Sequence, residues 1–475
     1  MQRKIPVLGW GQTARRRCSF HQSPTGCSER ICGSAERVLI CRVAQFERRS
    51  VLMEKDSLNV IVQALREVGF PFIQVEPVLR GNSSRFRPDV VGWASDRNGE
   101  LVPWCVVEVK NTRAPLPPGL ALDGLAKARE LLGTVDHYAV INGQWFKATS
   151  GLLGMDLVEA PTPPRFGGEG QIVDETLAVS ILREQLWRRG DEVHGRGGAV
   201  RVPTESLITS DGIESPFGGR LPVRADVLFT ASRKALIEIG SRGKEMGLFT
   251  SHPGVARAVA ALAGPRLTGS VLDPFCGTGS FLWAAIDEGL RGGRTVTSAF
   301  GIDLSIEMVQ LAKGISSVSP TPTVIECGSA FDLPTRLSDV VVSAPPLGVR
   351  LAGTHLLMNG ESTKDMDIAA IDLAIRSLKE GGRAVVQTSP GFAFKRQGEP
   401  FRSFLSSTFR VGALIGLPRG SVAGAGVGSL LVVIDRSPPV HNTFVAQLGE
   451  DWETQLAAGG AALSSASTHL ESLGS

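Results

Sequence analysis

The chain has 475 residues, of which 42% are hydrophobic and 20% charged, with a formal net charge of +3. That length predicts two or three domains, and the composition is that of a globular protein with ample core material rather than a disordered or fibrous one. No apolar run approaches the roughly 18 residues of a bilayer span and no secretory leader opens the chain, so a cytoplasmic protein without membrane contact is expected.

Residues 1–52 carry ten basic and three acidic residues, against 40 and 44 in the remainder. The basic character is thus concentrated at one end and says little about nucleic-acid binding by the whole chain. Four of the seven cysteines (Cys18, Cys27, Cys32, Cys41) also lie here, but no Cys-x-x-Cys pair is present and no zinc site is expected. Residues 1–52 are expected to be disordered, or to precede a start at Met53.

Residues 53–160 form the first predicted domain. Leu58, Val62, Leu65 and Val68 recur at helical spacing and predict a helix over 55–68. Apolar strands are expected near 72–79, 89–94 and 104–109, then a helix near 119–132 and a strand at 137–142. Pro161, Pro163 and Pro164 with Gly167, Gly168 and Gly170 mark a linker. A helix over 174–189 follows within a segment, 161–244, to which the sequence assigns no role.

From 245 to 440 strands alternate with helices, the pattern of a doubly wound α/β sheet. Strands are expected at 269–273, 299–303, 323–326, 339–343, 383–388, 411–416 and 428–434, and helices at 281–289, 305–313 and 365–380. Beyond Asp435 the apolar period fades, and 441–475 read as a frayed helix or tail.

The run Val271-Leu272-Asp273-Pro274-Phe275-Cys276-Gly277-Thr278-Gly279-Ser280-Phe281 places a strand end, a glycine turn and a helix start in succession. Glycines let backbone approach a ligand closely, and a helix start offers unpaired N–H groups. Asp273 could meet a ligand ammonium. Asp303, ending the next strand, could accept both hydroxyls of a ribose. A nucleoside with a charged substituent is the implied ligand, with a dinucleotide fold as the alternative.

This run resembles the donor-binding motif of the S-adenosylmethionine-dependent adenine-N6 DNA methyltransferases. The resemblance, over roughly 245–436, is to the methylation subunits of type I restriction-modification systems. It includes Gly247-Leu248-Phe249-Thr250-Ser251-His252, which looks like the family's Gly-x-Phe-x-Thr-Pro segment with Ser-His in place of Thr-Pro. It also includes Leu378-Lys379-Glu380-Gly381-Gly382-Arg383-Ala384-Val385-Val386 and Ala413-Leu414-Ile415-Gly416-Leu417-Pro418. What it implies is a Rossmann-like methyltransferase domain that binds S-adenosylmethionine through Phe249, Thr250, Ser251, Asp273, Pro274, Phe275, Cys276, Gly277, Thr278, Gly279, Asp303 and Asp332. DNA is the implied substrate, read with a specificity or restriction subunit as partner.

In that family the loop after the fourth strand carries Asn or Asp, two prolines and an aromatic residue. The amide or carboxylate accepts a hydrogen bond from the flipped-out adenine, and the ring stacks on it. Here the loop is Ser343-Ala344-Pro345-Pro346-Leu347-Gly348. Ala344 cannot accept a hydrogen bond and Leu347 cannot stack as an aromatic does. Loss of such a bond costs about 2–4 kcal/mol of barrier. Two readings therefore stand: a working methyltransferase with Ala344, Pro345, Pro346 and Leu347 as its target-base loop, or a decayed member that binds donor and DNA as a scaffold.

Arg87-Pro88-Asp89 and Glu108-Val109-Lys110 form a second constellation. Alternation puts Glu108 and Lys110 on one strand face, where Asp89 could join them, and two carboxylates can hold Mg²⁺ with water. In this setting the pattern resembles the PD-(D/E)xK nuclease-like domain that opens type I restriction subunits (about 55–150). The resemblance implies a smaller restriction-endonuclease-like α/β domain and a magnesium-dependent nuclease as a third reading.

Overall fold

The computed structural model describes residues 57–77, 79–80, 85–112, 116–166, 170–194, 207–214, 220–241, 251–332, 334–422, 426–440 and 442–472. The segment 1–52, with its expected disorder or late start, lies outside the described residues, as do Phe249 and Thr250. Among the described residues no helix is long and apolar enough to cross a membrane.

A first sheet holds β1 (Phe72–Val75), β2 (Val90–Ser95), β3 (Leu101–Lys110), β4 (Asp136–Ile141), β5 (Gln144–Ala148) and β6 (Met155–Val158), paired in that order. β3 and β4 run parallel, joined through helix α1 (Leu122–Leu132); the other neighbours are antiparallel. Every residue of β2 is buried because both faces are covered. One face packs Ile61 and Leu65, from the helix over 57–67, against Val90, Trp104 and Tyr138. The other buries Val91, Trp93 and Val106 against Leu125 of α1. An unbroken apolar strand is the expected sequence of such a position.

The stretch 161–244 is more ordered than its linker signal implied. Helices α2 (Glu175–His194) and α3 (Ala225–Ser241) pair, and short strands at Ile208–Thr209, Gly212–Glu214 and Arg220–Leu221 form a three-stranded sheet. Leu182, Leu186, Leu228 and Leu236 carry these elements into the same apolar core as the following domain.

The main sheet has eight strands: β7 (Gly269–Asp273), β8 (Val296–Asp303), β9 (Thr323–Cys327), β10 (Ser338–Ser343), β11 (Leu378–Thr388), β12 (Arg410–Leu417), β13 (Ser429–Asp435) and β14 (Phe444–Gln447). Their spatial order is β9-β8-β7-β10-β11-β13-β12-β14. β7 to β11 are parallel, and β13 alone runs against its neighbours β11 and β12. The order reverses between β7 and β10, and in such sheets ligands bind in the crevice outside the carboxyl ends at that point.

Helices α4 (Pro253–Ala263), α5 (Ser280–Arg291) and α6 (Ile306–Ser316) cover one face. Helix α7 (Met366–Arg376) and the helix Glu399–Thr408 cover the other. Helix starts follow local capping chemistry. The Ser305 hydroxyl accepts from the Met308 amide at 3.3 Å, and the Asp365 carboxylate accepts from the Asp367 amide at 3.1 Å.

Two differences from the sequence expectations have clear causes. The helix expected over 365–380 stops at Arg376, because Ser377 and Leu378 already pair with β10: the Ser338 amide donates to the Ser377 carbonyl at 2.8 Å. The chain end is not frayed. β14 adds to β12 in parallel, and helix Ala461–Ser472 buries Leu463, Ala466 and Leu470. Its apolar residues are few and widely spaced, so the sequence signal was weak although burial is complete.

Candidate active site

β7 ends at Asp273, and the chain turns through Pro274–Gly279 into α5. Gly277 (φ +54°) and Gly279 (φ +87°) take left-handed conformations that other residues resist. A Cβ at Gly279 would run into the Trp283 indole, whose Nε1 donates to the Thr278 carbonyl at 2.7 Å. A Cβ at Gly301 of β8 would meet Cys276 Sγ at 2.9 Å, so the turn lies hard against β8. The Cys276 amide donates to the Ile302 carbonyl at 2.8 Å.

The two strand-end carboxylates play different parts. Asp273 is 2% exposed and accepts from the Phe275 amide at 3.1 Å, holding the turn from beneath. Burial pushes its carboxyl up to about 8, with Asp303 adding to the effect. Asp303 reaches the cavity. Its Oδ2 accepts from the Gly277 amide and its Oδ1 from the Ser305 amide, each at 2.8 Å. Burial raises its carboxyl above the ordinary carboxylate range, against the lowering effect of those amides.

A cavity of about 800 Å³ opens at these strand ends. Ser251, Pro274, Phe275, Gly277, Asp303 and Asp332 line it together with Ala344, Pro345, Pro346 and Leu347. The candidate donor-binding residues and the candidate target-base loop, 12 to 96 residues apart in sequence, thus face one space. Asp273, Cys276 and Thr278 are buried behind it, with Gly279 at the start of α5. Asp273, read in the sequence as a partner for a ligand ammonium, accepts from the Phe275 amide and does not itself line the cavity.

The site has residues that the motifs did not single out. A hairpin, Arg350–Leu356 with Ser362–Asp365, folds over the cavity. Its His355 packs tilted against Phe331 with ring centres 5.0 Å apart, and Phe331 likewise against Phe275 at 5.7 Å, forming an aromatic wall. His355 Nε2 lies 2.9 Å from the fully buried Asp372, which also accepts from Arg376 Nε at 2.6 Å. Gln387, 3% exposed at the end of β11, lines the cavity as well. Its signal was present: a carboxamide directly after the apolar run Ala384-Val385-Val386.

The second constellation also assembles. Lys110 Nζ lies 3.0 Å from Glu108 Oε2 and 3.9 Å from Asp89 Oδ2, and Asp89 accepts from the Val109 amide at 2.6 Å. Burial raises both carboxyls, and the Asp89 charge raises Glu108 further. Gly124 of α1 packs on the Glu108 carboxyl, leaving a Cβ there only 3.1 Å from Glu108 Cδ. No group of three or more His, Cys, Asp or Glu side chains poised for a metal occurs among the described residues.

Residues 238–453 match the family model described as N-6 DNA Methylase. The tRNA (guanine(10)-N2)-dimethyltransferase of Methanothermobacter thermautotrophicus is 32% identical over 134 residues, covering 27% of this chain and 36% of that protein. The chain thus matches about a third of that relative's length. Among solved structures, the type I restriction-modification methyltransferase subunit from Streptococcus thermophilus has a TM-score of 0.42 at 18% identity, over 51% of this chain and 58% of that one. The EcoKI M protein has a TM-score of 0.37 at 15% identity, over 59% and 70%. The segment 238–453, which matches that family model, contains every residue that lines the cavity.

Proposed function

We propose that this domain transfers a methyl group from S-adenosylmethionine to adenine N6 in DNA, within a restriction-modification or related defence system. The observation that carries the reading is the single cavity shared by the Asp303 carboxylate, the Pro274–Gly279 turn and the Ala344–Leu347 loop. The residues fit the donor. Asp303 keeps lone pairs for ribose hydroxyls, a Cβ added at Gly277 would meet nothing within 4 Å, and the start of α5 has no side-chain cap. Phe275 and Phe331 offer an apolar wall for an adenine ring, and Asp332 a carboxylate at its rim.

When bound, S-adenosylmethionine supplies a methyl group made electrophilic by its sulfonium. The chain's own part is to hold the target amine in line and keep water out. The Pro345 carbonyl can accept from the amine, and Leu347 and Pro346 can cover the base. DNA reading is assigned to a specificity or restriction subunit as partner. The curated relative is named for a different exocyclic amine, guanine N2 in tRNA, and cytosine N4 offers the same chemistry.

Genome-wide mapping of modified bases in the native host, with and without the gene, tests this directly. Loss of N6-methyladenine at one defined sequence is the expected result. Unchanged methylation with the protein expressed would overturn it in favour of a donor-binding scaffold.

A second reading rests on the Asp89, Glu108 and Lys110 cluster. Two neighbouring carboxylates suit Mg²⁺ with water ligands, and the lysine beside them can orient a nucleophilic water. Nicking of supercoiled plasmid DNA in Mg²⁺ is expected, falling at least about 100-fold in Lys110→Ala. Wild-type protein that leaves the plasmid intact in both Mg²⁺ and Mn²⁺ would refute it.

A further inference from the structure

The target-base loop lacks an acceptor at Ala344, yet the cavity it faces does not. β10 and β11 are parallel neighbours with Ser343 opposite Val386, so Ala344 stands level with Gln387. Both project to the same face of the sheet. Val340, Val342 and Ala344 pack into the core under α4 and α5, as Val385 does two residues before Gln387, and side chains two apart share a face. Ser343 projects to the opposite face, where its hydroxyl is buried without a partner among the described residues.

The Gln387 carboxamide is held in one orientation. Its Nε2 donates to Ser429 Oγ at 2.9 Å, and Ser429 Oγ lies 3.0 Å from Ser421 Oγ. Both serines are fully buried. The Ser429 hydroxyl can accept from the amide while it donates to Ser421. Gln387 Oε1 is then the polar atom left over. It receives no hydrogen bond from the described residues, and it is not among the buried atoms sealed away without a partner. A carboxamide at 3% exposure that lines a cavity and keeps its oxygen unengaged is an acceptor aimed at whatever enters.

We propose that Gln387 accepts the hydrogen bond from the exocyclic amine of the target nucleobase, replacing from the neighbouring strand the side chain that Ala344 lacks. This rests on the methyl-transfer reading. An acceptor at this position selects bases by an N–H donor, so it selects an amine and not a ring carbon or an unprotonated ring nitrogen. In the reaction the amine nitrogen's lone pair forms the new N–C bond. The C–S bond breaks with its electron pair going to sulfur, and the surplus proton leaves nitrogen for solvent. Gln387 holds the other amine hydrogen and orients the lone pair; it takes up no proton.

The test is single-turnover methylation with radiolabelled S-adenosylmethionine and the full chain, on unmethylated duplex DNA amplified from the source genome. Gln387→Leu removes the acceptor at similar volume and is expected to slow transfer about 10²-fold with donor affinity unchanged. Gln387→Glu keeps an acceptor and should retain most of the rate. Adding Ala344→Asn to Gln387→Leu should recover at least about tenfold, because the new amide reaches the same amine. Wild-type rates in Gln387→Leu would overturn the assignment, and so would a parallel loss of donor binding, which would mark a packing role. A wild-type protein that binds donor but methylates none of this DNA would instead sink the methyl-transfer reading on which the assignment depends.

Discussion

Asp435→Ala is expected to destabilise the protein by about 3–5 kcal/mol, the cost of leaving buried charge uncompensated. Asp435 is fully buried on β13, directly opposite Arg383 of β11 on one side and Arg410 of β12 on the other. Arg383 Nε and Nη2 donate to its two oxygens at 2.6 and 3.1 Å, and Arg410 Nη1 donates to Oδ2 at 3.2 Å. Both guanidiniums are 2% exposed. Each also donates to backbone, Arg383 to the Leu262 carbonyl and Arg410 to the Leu470 carbonyl, both at 3.0 Å. The triad thus ties α4 and the C-terminal helix to the sheet. Burial lowers the Arg410 pKa and the Arg383 charge adds to this, while Asp435 opposes both. Without Asp435 two like charges remain beside each other in the core. Equilibrium urea unfolding should show the full loss, while donor affinity of the folded variant stays unchanged, because none of Arg383, Arg410 and Asp435 lines the cavity. A loss under about 1 kcal/mol would mean that water reaches the arginines and the triad is not dry.

Asp303→Ala should lower S-adenosylmethionine affinity by at least about 10²-fold, since charge-assisted hydrogen bonds contribute roughly 1.5–3 kcal/mol each. The carboxylate would accept from the ribose while it holds the Gly277 amide in place, so its removal costs both a ligand contact and the shape of the turn. A pH effect accompanies this. Burial raises Asp303 above the ordinary carboxylate range. Hydroxyl donors favour the ionised acceptor, so donor affinity should rise as pH climbs through the raised Asp303 titration and then level.

The stability of the protein measured without added donor runs the other way. A carboxyl whose folded pKa lies above its unfolded value binds more protons folded than unfolded in the interval between them. Its contribution is complete below the unfolded value and is lost as pH climbs towards the folded one. Asp273→Asn should therefore flatten the decline in stability between about pH 4 and pH 8. Isothermal titration at several pH values and a thermal-unfolding pH series would read these effects. A donor affinity that does not change with pH would remove Asp303 from the account, and an unchanged stability profile in Asp273→Asn would remove Asp273.

Local sequence determined the parts whose physics is local. The Asp273–Gly279 turn was legible because a strand end, positive-φ glycines and a helix start are consecutive, and each constrains the next. The β7–α5–β8 alternation and the position of Asp303 followed from apolar periodicity. So did the pairing of Asp89 with Glu108 and Lys110, which needs only two neighbouring strands. What tertiary structure decided depends on strand order, and strand order is set by packing across the sheet rather than by any one segment. Only the placement of β11 beside β10 brings Gln387 level with Ala344, so a residue that reads as an oddity in one strand completes a gap in another. Only the reversal between β7 and β10 turns the Pro274–Gly279 turn and the Ala344–Leu347 loop onto one cavity, and only the hairpin's return sets His355 against Phe331. The chain end needed the sheet as well: Leu463, Ala466 and Leu470 are too sparse to signal a helix alone, and become a buried face once β12 and α4 are present to receive them.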